Sequence, residues 1–136
     1  MTIQVRNDLS ELERVGREVA DFCAARGLPK DLEGDVNLAI EEMLANVIMH
    51  GYPDDAQHQI VVSLDAQGGE LRVSLEDDGT PFNPLDAPAA DLSGPLDKRP
   101  IGGLGIHLVR NLMDRLEYER RGDRNHLVMI KRVAAV

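Results

Sequence analysis

The 136-residue chain carries 43% hydrophobic and 29% charged residues with a net charge of −9, the make-up of a globular protein long enough to bury a core of its own. No apolar run approaches the roughly 18 residues of a membrane span, the opening residues MTIQVRNDL lack the parts of a secretory signal, and an excess of acidic side chains repels phosphate backbones and anionic lipid. Membrane insertion, export and nucleic-acid binding are therefore not expected, and the chain is placed in the cytoplasm as one domain over residues 1–136.

Residues 2–6 (TIQVR) alternate as a short strand, after which Asn7 or Asp8 can cap a helix. In that helix Leu9, Leu12, Val15, Val19 and Phe22 recur at steps of three and four, giving one buried stripe that ends at Gly27 and Pro29. Cys23 lies in the same helix, has no partner for an internal disulfide, and reads as packed core. A second helix is predicted from about Asp31 to His50, stopped by Gly51, Tyr52 and Pro53. Two runs follow, HQIVVSLDA (58–66) and GELRVSLEDDG (69–79), parted by Gln67, Gly68 and Gly69, and they predict an antiparallel hairpin.

Residues 80–101 hold five of the seven prolines and almost no periodicity, which marks a long functional or disordered loop. A third helix opens at GGLG and carries Ile106, Val109, Leu112, Met113 and Leu116 on one side. Two strand-like segments, LEYERR (116–121) and HLVMIKRV (126–133), close the chain around GDRN. The order βααββαββ predicts an α+β two-layer sandwich, with helices over one face of a mixed, mostly antiparallel sheet.

Three stretches carry chemistry. In NLAIEEMLANVIMHGY (37–52) apolar residues occupy most of the helix circumference, yet Glu42 and Asn46 stand one turn apart on the same side, with Glu41 about 100° away. A buried, unpaired carboxylate is costly, so that side meets partner groups, lines a cleft or faces solvent. An acid beside an amide oxygen suits a general base and a hard cation. In LRVSLEDDGTPF, strand alternation puts Asp77, not Asp78, at the end of the apolar row that faces the helices, with Gly79 letting the chain turn beside it. The same pattern also describes an ordinary Asp-Gly turn. In PIGGLGIHLVRNLMD, glycines lead straight into a helix, whose free N–H groups suit phosphate oxygens; it is neither a P-loop nor a dinucleotide fingerprint.

A base with a metal ligand, an amino-group acceptor and a phosphate cradle, in that order, together suit a purine triphosphate with Mg²⁺. The sequence resembles the ATP-binding fold shared by histidine kinases, type II topoisomerases and the mismatch-repair protein MutL. Within it, the chain is most similar to the small bacterial anti-sigma factor serine/threonine kinases. EEMLANVIMHGY resembles the signature helix of that family, EDDGTPFNP its adenine box and IGGLGIHLVRNLMD its phosphate box. The resemblance implies Glu42 as catalytic base, Asn46 as Mg²⁺ ligand through its side-chain oxygen, and Asp77 with Gly79 at the adenine. It implies Gly102, Gly103, Leu104, Gly105 and Ile106 at the phosphates, and a lid over about residues 80–101, with Lys98 and Arg99 as phosphate neighbours or solvated charges. Two positions depart from the pattern. Pro81 stands where the wider fold has a second glycine, and Asn125-His126 where others place a Thr, so adenine-side contacts are expected to differ. His50 reads as a helix-end or packing residue.

Histidine kinases usually lack a carboxylate four residues before the Asn, whereas a hydroxyl acceptor benefits from a base, so Glu42 argues for transfer to a hydroxyl or for hydrolysis. One reading is a partner-switching kinase that uses ATP and Mg²⁺ to phosphorylate a small anti-anti-sigma-like antagonist and alternately holds a sigma factor or similar target. A second is a non-catalytic, nucleotide-sensing binding module, and a third is a scaffold that has lost nucleotide binding. A homodimer is implied by the resemblance alone.

Overall fold

Alternation decides the sheet and three-and-four spacing decides the helices, and both are visible in which side chains leave water. The computed structural model describes residues 1–86 and 103–133. Its elements are β1 (Thr2–Arg6), α1 (Glu11–Ala25), α2 (Lys30–His50), β2 (Gln59–Gln67), β3 (Glu70–Asp77), a 3-10 turn (Pro84–Asp86), α3 (Gly103–Leu112), β4 (Arg115–Arg121) and β5 (Arg124–Arg132). The strands form one sheet in the order β1-β2-β3-β5-β4. All four pairings are antiparallel, so the parallel component allowed for in a mixed sheet does not occur among the described residues. The reason is connectivity: β2–β3 and β4–β5 are tight hairpins, and α3 returns the chain to the far edge of the sheet rather than beside β3.

The β2–β3 turn is the pair Gly68-Gly69, both with positive φ (61° and 77°), the dihedrals of a two-residue turn that matches strand twist and that side chains resist. Leu71, Val73, Leu75 and Asp77 of β3 are buried against the helices, and register places them opposite Lys131, Met129, Leu127 and Asn125 of β5. Leu32, Val36, Ala39, Ile40, Met43 and Leu44 of α2 are buried in the same layer, as are Val15, Val19, Phe22 and Cys23 of α1. At about 25 cal/mol per Å² of apolar surface, this single core is the main force holding the layers together.

Several expectations are corrected. Leu9 is 48% exposed and precedes α1, while Glu11 is buried in its place. Glu11 accepts from Arg14 Nη2 at 2.6 Å and from the Arg6 backbone N–H at 3.3 Å, which satisfies its charge. Neither Asn7 nor Asp8 caps α1. Asp8 Oδ1 accepts from the Ser10 N–H at 2.9 Å in a local turn, and Asn7 instead accepts from the His58 N–H at 2.8 Å and donates to Ala56 O at 3.1 Å. Leu116 is not on the third helix, which ends at Leu112, but in β4, because the Asp114 N–H donates to Ile130 O and draws the chain into the sheet. Leu38, an apolar residue of the stretch expected to be buried nearly all round, is 36% exposed in a groove between α1 and α2.

Candidate functional site

The last two turns of α2 and the end of β3 diverge and leave an open cleft of about 640 Å³, part of it continuous with solvent. Its floor is Met43, Val47, Leu75 and Leu127, apolar and set by the core pattern of α2, β3 and β5, and Asp77 and Asn125 supply buried polar groups. A second recess of about 480 Å³, lined by Glu42, Ala45, Met49, Gly105 and Ile106, shares Asn46 and His50 with the first. The two make one trough along α2, with an apolar end carrying a carboxylate and a polar end at the start of α3. That answers why an apolar helix carries an acid and an amide: Glu42 and Asn46 are half-buried and face the trough, whereas Glu41 is exposed on the other side of α2.

Asp77 is 4% exposed and Asp78 lies in water, as parity requires. Oδ1 of Asp77 accepts from the Gly79 N–H at 2.8 Å and from Asn125 Nδ2 at 3.0 Å; among the described residues no donor meets Oδ2. A carboxylate so held offers one oxygen to a donor in the cleft. Gly79 is demanded by proximity, not by its dihedrals. A Cβ there would lie 2.5 Å from Gly51 O and 2.9 Å from Asp77 Oδ1. Across the same contact the Thr80 N–H donates to Gly51 O at 2.8 Å, locking the turn to the end of α2.

At the other end, a Cβ on Gly105 would lie 2.7 Å from Glu42 Oε2, so the glycine lets the first turn of α3 come up against the carboxylate. Gly103 begins α3, Ile106 is buried at 5%, and Leu104 belongs to the same first turn. Gly102, Lys98, Arg99 and most of the expected lid lie outside the described residues. Of the lid, Thr80 to Asp86 are described: Pro81, Phe82 and Pro84 line the cleft, and Arg110 Nη2 donates to Pro84 O at 2.8 Å. His50 is exposed at the helix end and lines both recesses.

Sequence reasoning missed the supports of this site. Tyr118 and Arg120 of β4 reach Asn125, and Arg120 Nη1 also donates to Gly79 O at 2.9 Å. The available signal was parity, since Leu116, Tyr118 and Arg120 share the face that looks toward the helices. It also missed His58, which hydrogen-bonds Asp54 at 2.8 Å and Asp78 at 3.2 Å and stacks on Tyr52 with ring centroids 4.1 Å apart. The hydrogen bond to Asp54 raises the His58 pKa above its ordinary value; desolvation opposes it, and the hydrogen bond to Asp78 adds to the rise. Burial, then the charges of Asp77 and Asp78, pushes the Tyr52 hydroxyl up, and that oxygen is buried without a partner among the described residues. No helix among the described residues is long and apolar enough to cross a membrane.

Fold and trough together define a two-layer α+β domain of the ATPase type. A family described as the Histidine kinase-like ATPase domain matches residues 5–131, and the chain belongs to it. It is 30% identical over 94 residues to the serine/threonine-protein kinase BtrW of Bordetella bronchiseptica, covering 69% of this chain and 66% of that protein. It is 24% identical over 110 residues to the anti-sigma F factor of Oceanobacillus iheyensis (80% and 75%), and 31% identical over 91 residues to the serine-protein kinase RsbW of Bacillus cereus (64% and 56%). The matches thus span between about half and three quarters of those relatives. In fold it resembles the RsbU and RsbW domains of a Mycobacterium tuberculosis protein, with a TM-score of 0.68 at 17% identity over 98% of this chain and 31% of that one. It also resembles a histidine kinase domain of Erythrobacter litoralis, with a TM-score of 0.58 at 20% identity over 92% and 60%.

The trough fits a purine nucleotide: an apolar floor for a ring, one carboxylate oxygen that meets no donor among the described residues, and a glycine-led helix start at the far end. Asn46 offers a single oxygen to a cation. Mg²⁺, which takes few protein ligands and completes its shell with phosphate oxygens and water, suits such a sparse donor set.

Proposed function

We propose that the chain is an ATP-dependent serine/threonine protein kinase that acts as a partner-switching regulator in the cytoplasm, with the whole chain as one catalytic domain. The observation that carries this is Glu42, a carboxylate at the junction of α2 with the glycine start of α3, where no neighbour in the described residues neutralises it by an ion pair. The base of ATP occupies the end with Asp77, and the triphosphate runs toward Asn46 and Gly105. Mg²⁺, held through Asn46, supplies charge neutralisation to the phosphates.

In the reaction a serine or threonine Oγ of the partner attacks the γ-phosphorus in line, the bond from that phosphorus to the bridging oxygen breaks, and ADP leaves. Glu42 takes the Oγ proton. Such a hydroxyl has a pKa far too high to attack unaided, which is why a carboxylate here points to hydroxyl chemistry. The phosphoacceptor is a small anti-anti-sigma-like antagonist, and a sigma factor or similar target is the alternative partner, in keeping with relatives named as anti-sigma F factor and RsbW. A homodimer goes with this reading and is checked by sedimentation.

The test uses labelled ATP with the candidate antagonist. Label transferred to the antagonist by the native chain and lost in Glu42→Ala, with nucleotide binding intact, supports the kinase. Tight ATP binding with no transfer in either form refutes it in favour of a nucleotide-sensing binding module.

A further inference from the structure

Asn125 is 6% exposed and its amide is saturated. Oδ1 accepts from the Tyr118 hydroxyl, from Arg120 Nη1 at 3.2 Å and from the Phe82 N–H at 3.3 Å, and Nδ2 donates to Asp77 Oδ1 at 3.0 Å and to Thr80 O at 2.9 Å. The orientation follows from the partners. Turning the amide over would set its nitrogen against a guanidinium and a backbone N–H, which can only donate, and its oxygen against a carboxylate and a carbonyl, which accept. With every polar atom used, Asn125 has nothing left for a ligand and acts through Asp77.

We propose that Asn125 is the positioning residue that sets the polarity of the base end of the trough. It holds the Asp77 carboxylate by Oδ1 and leaves Oδ2 as the acceptor offered to the cleft, so that a purine with a 6-amino donor is selected over one with a 6-oxo acceptor. The physical core is that an amide nitrogen only donates. Together with the Gly79 N–H, the fixed Nδ2 occupies Oδ1, so the oxygen left to the cleft is Oδ2, which meets no donor among the described residues. Tyr118 and Arg120, from the edge strand, hold the amide in that sense, and Arg120 also holds Gly79 O. A 6-oxo purine then faces a carboxylate oxygen with no hydrogen between them, and a buried acceptor pair of that kind is disfavoured.

The inference rests on the proposed nucleotide reading, and the test separates the two. Dissociation constants of the magnesium complexes of ATP and of inosine triphosphate, which differ at the 6-position, are measured on the full native chain and on Asn125→Asp. The variant replaces the Nδ2 donor beside Asp77 Oδ1 by an acceptor oxygen, which removes the bond that holds the Asp77 carboxylate in its orientation. The ratio of the two constants cancels any general loss from added negative charge.

The native chain is expected to prefer ATP, and Asn125→Asp to lower that preference at least tenfold. If this variant does not fold, Asn125→Leu, of similar size with neither polar atom, decides the matter, and a fall of at least threefold is expected. Parallel weakening of both nucleotides with the ratio unchanged means a purely structural residue and overturns the proposal. A native chain that binds neither nucleotide overturns the functional reading and this inference with it.

Discussion

Gly79→Ala is the sharpest perturbation the geometry offers. The added methyl would sit 2.5 Å from Gly51 O, and relieving that to an ordinary contact of 3.4 Å needs about 0.9 Å of movement between two backbone segments. Those segments are tied by the Thr80 N–H to Gly51 O bond, and Asp77 Oδ1 closes the other side at 2.9 Å, so neither can yield alone. Overpacking at about 1 to 3 kcal/mol plus one weakened hydrogen bond at about 1 kcal/mol gives a loss of roughly 2 to 4 kcal/mol in stability. ATP affinity should fall at least tenfold, because the displaced turn carries Asp77. Gly105→Ala is the internal control. Its methyl meets the tip of the Glu42 side chain at 2.7 Å, which can rotate away, so stability should change by less than about 1 kcal/mol while transfer is lost. Urea unfolding with an unchanged slope measures both. Equal losses in the two variants, or a loss below about 0.5 kcal/mol in Gly79→Ala, would refute the reasoning.

Asp77→Asn should weaken ATP binding by about 1 to 3 kcal/mol, since the amide oxygen stays on Asn125 Nδ2 and the Gly79 N–H and an NH2 donor replaces the acceptor oxygen offered to the cleft; calorimetry with unchanged affinity contradicts the assignment. His58 has a raised folded-state pKa, so its bonds to Asp54 and Asp78 add stability that is full below the unfolded value of 6.5 and fades as pH rises past the folded value. The stability gap between the native chain and His58→Gln should narrow on going from pH 6 to pH 9, and a constant gap removes the ion-pair account. The Arg14 side chain, then the Arg6 backbone N–H, lowers the Glu11 pKa to about 2, so its contribution is full above 4.5 and is lost as pH falls toward 2. Glu11→Gln should cost about 1 kcal/mol at pH 7, and the cost should shrink as the pH falls through about 2, as read from the urea midpoint.

Much of the fold was legible because period-2 and period-3.6 patterns report burial directly, and β2, β3, α2 and the Gly68-Gly69 turn follow from them. Where local and tertiary demands conflicted, the reading failed. Leu9 continues an apolar spacing but lies outside α1, since the turn at Asp8 starts the helix late and the buried ion cluster of Glu11 takes that place. Leu116 extends the helical stripe in sequence, yet the strand bond from Asp114 to Ile130 takes it into the sheet.

By itself, the sequence determined the order of elements, the face to which Asp77 belongs and the pairing of Glu42 with Asn46 on one side of α2, because these depend only on the repeat of a single helix or strand. Only the tertiary structure decided that Gly79 must lack a side chain on account of Gly51, that Gly105 meets Glu42, and that Asn125, Tyr118 and Arg120 hold the carboxylate from two other strands. The contacts of Gly79 with Gly51, Arg120 with Gly79, Asn125 with Asp77 and Gly105 with Glu42 join residues between 28 and 63 positions apart, and no local periodicity carries the register that brings them together.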